Sequence, residues 1–142
     1  MFLVLYRLRI CPSLLDHYIV HPKNFVYAGR RWHIRAFDEM TSEYRDFNLA
    51  RIKSIKPASK ALDIPKDLEW DTHVNLIIKP HPMLTPDQEI LVRDELFKGA
   101  AFRSMKTRKA LIGYLLRELE VAENPEKQTP PEYQLHLHSI KE

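Results

Sequence analysis

Residues 29–52, GRRWHIRAFDEMTSEYRDFNLARI, decide how the first half of this chain is read. From Arg31 the residues alternate: Arg31, His33, Arg35 and Phe37 fall on one side, Trp32, Ile34 and Ala36 on the other. Strand side chains alternate faces with period two, so this run predicts a strand with one cationic and one apolar face. Trp32, grouped with Ile34, is expected in the core. A polar turn at residues 39–42 leads into a second strand at 43–49. Pairing across that turn is expected to gather Arg31, Arg35 and Arg45 on one surface, with Arg51 at its far end.

Working outward, residues 1–9 alternate loosely and read as a strand, and residues 11–16, with Pro12, read as a loop. Residues 18–20 form a short strand ended by His21-Pro22, because the residue before proline prefers extended geometry. Residues 24–28 give another strand, turned by Ala28-Gly29-Arg30. Short strands at close spacing suggest a compact antiparallel barrel or sheet over residues 1–56. From 57 to 71 the periodicity fades among prolines and lysines, which reads as a linker.

The remainder follows a different pattern. THVNLIIK at 72–79 is a strand. Thr85-Pro-Asp-Gln88 starts a helix, with threonine as cap, proline at the first helical position and glutamine three residues after the cap. Gly99 closes it, a short strand covers 101–105, and Thr107 is expected to cap a second helix with Leu111, Leu115 and Leu119 on one face. Residues 72–123 thus form a small β-α-β-α module, and the fold class is α+β. Residues 124–142, with Pro125, Pro130 and Pro131, are expected to be a mobile tail.

The net charge of +3 is unevenly spread. Residues 21–60 hold nine Lys/Arg against four Asp/Glu, a balance of +5; residues 61–142 hold eleven against fourteen, a balance of −3. The first half is therefore the candidate anion-binding half. Its single cysteine, Cys11, leaves no internal disulfide and suits a reducing cytoplasm. No apolar run approaches the roughly 20 residues that span a bilayer, so no membrane partner is expected.

Arginine offers a rigid fork of donors that pairs bidentately with phosphate. The candidate ligand residues are Arg31, Arg35, Arg45 and Arg51, with His33 as a titratable donor and Tyr27 as a surface on which a base could stack. Phe37 is a second stacking surface. The alternative is that Arg45 pairs with Asp38 or Asp46 and that Arg30 and Arg31 are solvated turn residues. His17 with His21, and His136 with His138, lack zinc-site spacing, so no metal is expected. Three glycines exclude a phosphate-cradling loop, and no Gly-x-Ser-x-Gly or Cys/His arrangement is present, so neither a cofactor nor catalysis is expected.

The run PKNFVYAGRRWHIRAFDEMTSEYRDFNLARI resembles the WYL domain of bacterial transcriptional regulators. A proline-led strand reaches a glycine, then Arg-Trp-His-Ile-Arg-Ala, a turn, and Arg-x-Phe-x-Leu-x-Arg-Ile. KPHPMLTPDQEILVRDEL and TRKALIGYLLREL resemble the WCX extension that follows such domains. Together the two resemblances cover about residues 18–122, in the family's order. They imply a Sm-like five-stranded barrel that senses a nucleic-acid or nucleotide-like effector, followed by an α+β module for dimerisation or effector response. The name-giving Trp-Tyr-Leu is Trp32-His33-Ile34 here, and the family's Pro-His is Pro22-Lys23, with His21 next door. In the family a winged helix-turn-helix domain precedes the barrel; the 17 residues before the match leave no room for one. The chain is thus expected to be the C-terminal part of such a regulator, with single-stranded nucleic acid or a nucleotide-like effector, a second copy of itself, and a separate winged-helix chain as candidate partners. The competing expectation is a pure oligomerisation module for a separate DNA-binding subunit, motivated by the Leu111/Leu115/Leu119 stripe.

Overall fold

The structure is a computed structural model that describes residues 2–7, 15–58 and 63–142. Cys11 and most of the 11–16 loop lie outside the described residues. The chain divides into two compact units, Met1–Asp67 and Leu68–Glu142.

The first unit is one antiparallel sheet of five strands: β1 (Phe2–Arg7), β2 (Leu15–Ala28), β3 (Arg31–Asp38), β4 (Glu43–Asn48) and β5 (Ile52–Pro57). Their order is β4-β3-β2-β1-β5, so the last strand returns beside the first and the sheet curls into a half-barrel. The two short strands expected at 18–20 and 24–28 are one long strand. β2 pairs with β1 through its first half and with β3 through its second. Pro22 sits where the β2–β3 register shifts, between Pro22 and Asn24, and a bulge is where a strand tolerates proline. Tyr6, Val20, Ala36 and Phe47 form the core, with Tyr18, Ile34 and Ile52 packed against it. The Tyr6 and Phe47 rings meet edge to face at 5.3 Å.

The second unit is also α+β. It comprises α1 (Leu68–Asp71), β6 (His73–Pro80), α2 (Pro86–Phe97), β7 (Arg103–Arg108), α3 (Ile112–Glu118), β8 (Val121–Ala122) and β9 (Leu135–Lys141). The sheet order is β7-β6-β9-β8, mixed because β8 and β9 run parallel. Thr85 caps α2 through a complete capping box: Thr85 Oγ1 accepts from Gln88 N at 3.3 Å and Gln88 Oε1 accepts from Thr85 N at 3.0 Å. Lys98 ends the helix in the left-handed region, followed by Gly99 at φ 84°. Val74, Leu76 and Ile78 of β6 pack with Phe97, Leu116 and Val121, so the helices cover one face of this sheet.

Thr107 caps no helix: it pairs with Val74 inside β7, and α3 begins only at Ile112 after a 3-10 turn. Sheet pairing satisfies the Thr107 backbone more completely than a cap would. The expected mobile tail contains β9, which lies between β6 and β8 and packs Leu135 and Leu137 against the core.

Candidate anion-binding site

The β2–β3 hairpin turns through Gly29 and Arg30, at φ 58° and 61°. Two positive φ values are the signature of a type I′ turn, whose twist matches the flanking strands. Glycine takes that geometry freely; arginine holds it at a cost of about 1 kcal/mol or more. The turn projects Arg30 and Arg31 beside a second irregular piece. Asn48 caps the 3-10 turn Leu49–Arg51, its Oδ1 accepting from Ala50 N at 2.9 Å.

Together Arg30, Arg31, Trp32, Asn48, Leu49, Ala50 and Arg51 line a cleft of about 610 Å³. No acidic side chain is among these residues, and no ion pair involves the three arginines among the described residues. Arg51 lays its guanidinium over the Tyr6 ring at 4.6 Å. Its Nε is buried without a hydrogen-bond partner among the described residues. Trp32 is 54% exposed, and its ring lies 5.2 Å from that of Tyr27, which is 62% exposed. An aromatic pair at the mouth of a cationic cleft can hold a flat ring while guanidinium forks take the attached anion.

The structure separates the remaining candidates from this cleft. Residues opposite each other in antiparallel strands share a face. Arg35 lies opposite Asp46, whereas Arg45 lies opposite Ala36, so the two arginines project from opposite faces. The expected convergence of Arg31, Arg35 and Arg45 does not occur. Arg35 is 4% exposed and is gripped by Asp67, with Nη2 donating to Oδ1 at 2.9 Å and Nε to Oδ2. Arg35 Nη1 also donates to Asp46 at 3.2 Å. Burial alone would push the Arg35 guanidinium down, but the hydrogen bonds and charges of Asp67 and Asp46 outweigh it and hold its pKa above the ordinary value.

Arg45 donates to the fully buried Asp38 at 3.1 Å. Asp38 also accepts from Met40 N and Thr41 Oγ1, organising the β3–β4 turn. His33 is buried at 8% exposure and lies opposite Asn48, a cleft residue. Phe37 packs its ring on Tyr44 at 5.4 Å, and His21 bonds Glu39 at 2.9 Å, both away from the hairpin tip.

Trp32 is not the core residue that its alternation with Ile34 predicts. It shares the apolar face with Ile34 but sits one residue past the first position of β3, beyond the core, so it is exposed rather than buried. Sequence reasoning missed Arg30, Trp32 and the Asn48–Ala50 turn as cleft residues. The available signal was Gly29-Arg30 itself, since a two-residue hairpin turn forces Arg30 to positive φ. Alongside this face, Phe2, Val20, Pro22, Phe25, Ile34, Phe47, Ile52 and Ile55 enclose an apolar hollow of about 270 Å³.

A curled five-stranded antiparallel sheet with a basic hairpin tip is thus followed along the chain by a small α+β unit. The WYL domain pattern matches residues 14–57, and the pattern of the BrxR transcriptional regulator C-terminal dimerization domain matches residues 73–142. The chain belongs to the WYL-domain transcriptional regulators. Its second unit, likened by sequence to a WCX extension, corresponds to that dimerization domain.

Among similar proteins are DNA-binding transcriptional repressors named CapW. That of Pseudomonas aeruginosa is 36% identical over 120 residues, covering 84% of this chain and 40% of the relative. That of Escherichia coli (strain KTE188) is 34% identical over 117 residues, covering 82% and 39%. That of Stenotrophomonas maltophilia is 29% identical over 108 residues, covering 75% and 36%. The chain thus spans about two fifths of the length of these relatives.

Proposed function

We propose that this chain is the effector-sensing and dimerisation part of a bacterial transcriptional repressor. Its first unit is read as a Sm-like sensor, supported by the return of the fifth strand beside the first. Its ligand is a nucleotide-like anion or a short single-stranded nucleic acid, held at the hairpin cleft. The observation that carries this reading is the acid-free set Arg30, Arg31 and Arg51 around an exposed Trp32–Tyr27 pair. Phosphate would sit between the guanidiniums, and a base would lie against Trp32. Arg35 and Arg45 hold the sheet together instead, and His33 supports the cleft through its neighbour Asn48.

The second unit joins two copies of the chain, as the matched dimerization domain suggests. A separate winged-helix chain remains a candidate partner, and the cytoplasm is the compartment such a repressor needs. Among the described residues no helix is long and apolar enough to cross a membrane.

The test is a tryptophan-fluorescence titration with nucleotides and short single-stranded DNA, in a Trp70→Phe background so that Trp32 reports. Arg31→Ala and Arg51→Ala should each weaken binding at least tenfold and reduce its salt dependence. Binding indifferent to both substitutions would place the ligand elsewhere. A dimer that binds no nucleotide or single strand at all would favour the pure oligomerisation reading, which the dimerization-domain match over residues 73–142 keeps in play.

A further inference from the structure

The second unit carries a charge separation that the cleft does not explain. Its three long strands, HVNLIIKP, RSMKTR and LHLHSIK, contain five Lys/Arg and no Asp/Glu. Elsewhere in residues 68–142 there are five Lys/Arg and twelve Asp/Glu. The basic charge is thus concentrated in the sheet, and the register fixes where it points.

Val74, Leu76 and Ile78 face the helices, so His73, Asn75, Ile77 and Lys79 face the other way. Their cross-strand partners share that face. Lys106, Asn75 and Lys141 form one row across three strands; Ser104, Ile77 and Ser139 form the next. Lys79 lies beside His136 at one end and Arg108 beside His73 at the other. Ile77 is buried, while Asn75, Ser104, Lys106 and Lys141 are exposed. Both longer helices, α2 and α3, lie over the opposite face.

We propose that this open sheet face binds the sugar–phosphate backbone of duplex DNA, independently of sequence. Lysine, serine and asparagine are the side chains that contact phosphate and sugar in protein–DNA interfaces. The rows carry no Phe, Tyr or Trp, so they offer no platform for unstacked bases, and a single strand gains nothing here that it gains at Trp32. Lysines flanking Asn75 on neighbouring strands repel one another, and a polyanion offsets that repulsion. The same repulsion disfavours this face as a contact between two copies of the chain, since a twofold contact would set lysines against lysines.

The test is fluorescence anisotropy of the full chain with a labelled duplex of arbitrary sequence, between 50 and 200 mM salt. Reversing the charges together (Lys79→Glu, Lys106→Glu and Lys141→Glu) should weaken binding at least tenfold and flatten the slope of log affinity against log salt by about 2–3. The neutral triple variant, with glutamine at the same positions, should flatten the slope equally with a smaller loss, which guards against a folding defect in the reversal. In an Arg31→Ala, Arg51→Ala background the glutamine variant should still flatten the duplex salt slope by the same amount, so failure of the effector reading is distinguishable from failure here. The proposal is overturned if the chain does not bind duplex at 50 mM salt, if the glutamine variant keeps the wild-type slope, or if polyglutamate competes as well as DNA.

Discussion

At the scale of the residue, what matters about each arginine is which carboxylate lies within reach. Alternation along residues 31–37 was legible in the sequence, and it correctly put Arg35 on the face opposite Ile34. It carried no information on register, and register decided that Arg35 meets Asp46 while Arg45 meets Ala36. A shift of one residue would have reversed both outcomes. Arg30 was passed over because charged turn residues are usually solvated. Its φ of 61° makes it a test case: a strained arginine at the mouth of an acid-free cleft is retained at a cost. Arg30→Gly relieves the left-handed strain, partly offset by the greater freedom of glycine in the unfolded chain. Stability in urea should therefore stay level or rise by up to about 1 kcal/mol, while affinity for a nucleotide or short single strand falls at least threefold. A variant that keeps full affinity would return Arg30 to the status of a solvated turn residue.

At the scale of the element, local chemistry predicted α2 closely and β9 not at all. Thr85, Pro86, Gln88 and Gly99 act on their own backbone, so no knowledge of the rest of the fold was needed. In β9 the alternation of Leu135 and Leu137 was present, but three prolines upstream outweighed it, and only the pairing with β6 and β8 makes the segment a strand. That strand also carries a titratable seam. His136 donates its Nδ1 hydrogen to the Pro80 carbonyl at 2.9 Å, with the His81 and His138 rings at 6.3 and 6.1 Å. Burial above all, aided by the neighbouring His81 and His138 charges, holds the His136 pKa below its ordinary value of about 6.5, against the opposing pull of the Pro80 bond. The fold thus prefers neutral His136. The stability this contributes is complete above pH 6.5 or so and is lost as pH falls from there through the lower folded value. Urea midpoints of the second unit should decline as pH drops from about 7.5 to 5.5, and His136→Gln should flatten that decline. Parallel pH profiles for the two proteins would mean that His136 does not sense acid.

At the scale of the molecule, the stretch between the two units does more than join them. Residues 57–71 look like a linker because they lack periodicity, yet their second half is structural. Tyr44 Oη donates to the Pro65 carbonyl at 2.7 Å, and Asp67 accepts two hydrogen bonds from Arg35. A side chain that completes a buried ion pair from 32 residues away leaves no local pattern, so Asp67 could be found only in the fold. The first unit therefore ends at Asp67 and not where β5 stops at Pro57. Two fragments separate these alternatives. Residues 1–67 keep both carboxylates around Arg35, whereas residues 1–57 leave it with Asp46 alone. Breaking a strictly buried pair costs about 3–5 kcal/mol; here, removing the covering segment also lets water reach Arg35, so the shorter fragment should be less stable by about 2–3 kcal/mol. Asp67→Asn in the longer fragment keeps the shape and one acceptor while removing the charge, and it should fall between the two. Equal urea midpoints for the two fragments would show that residues 58–67 are the linker their composition suggests, and that Arg35 is adequately served by Asp46.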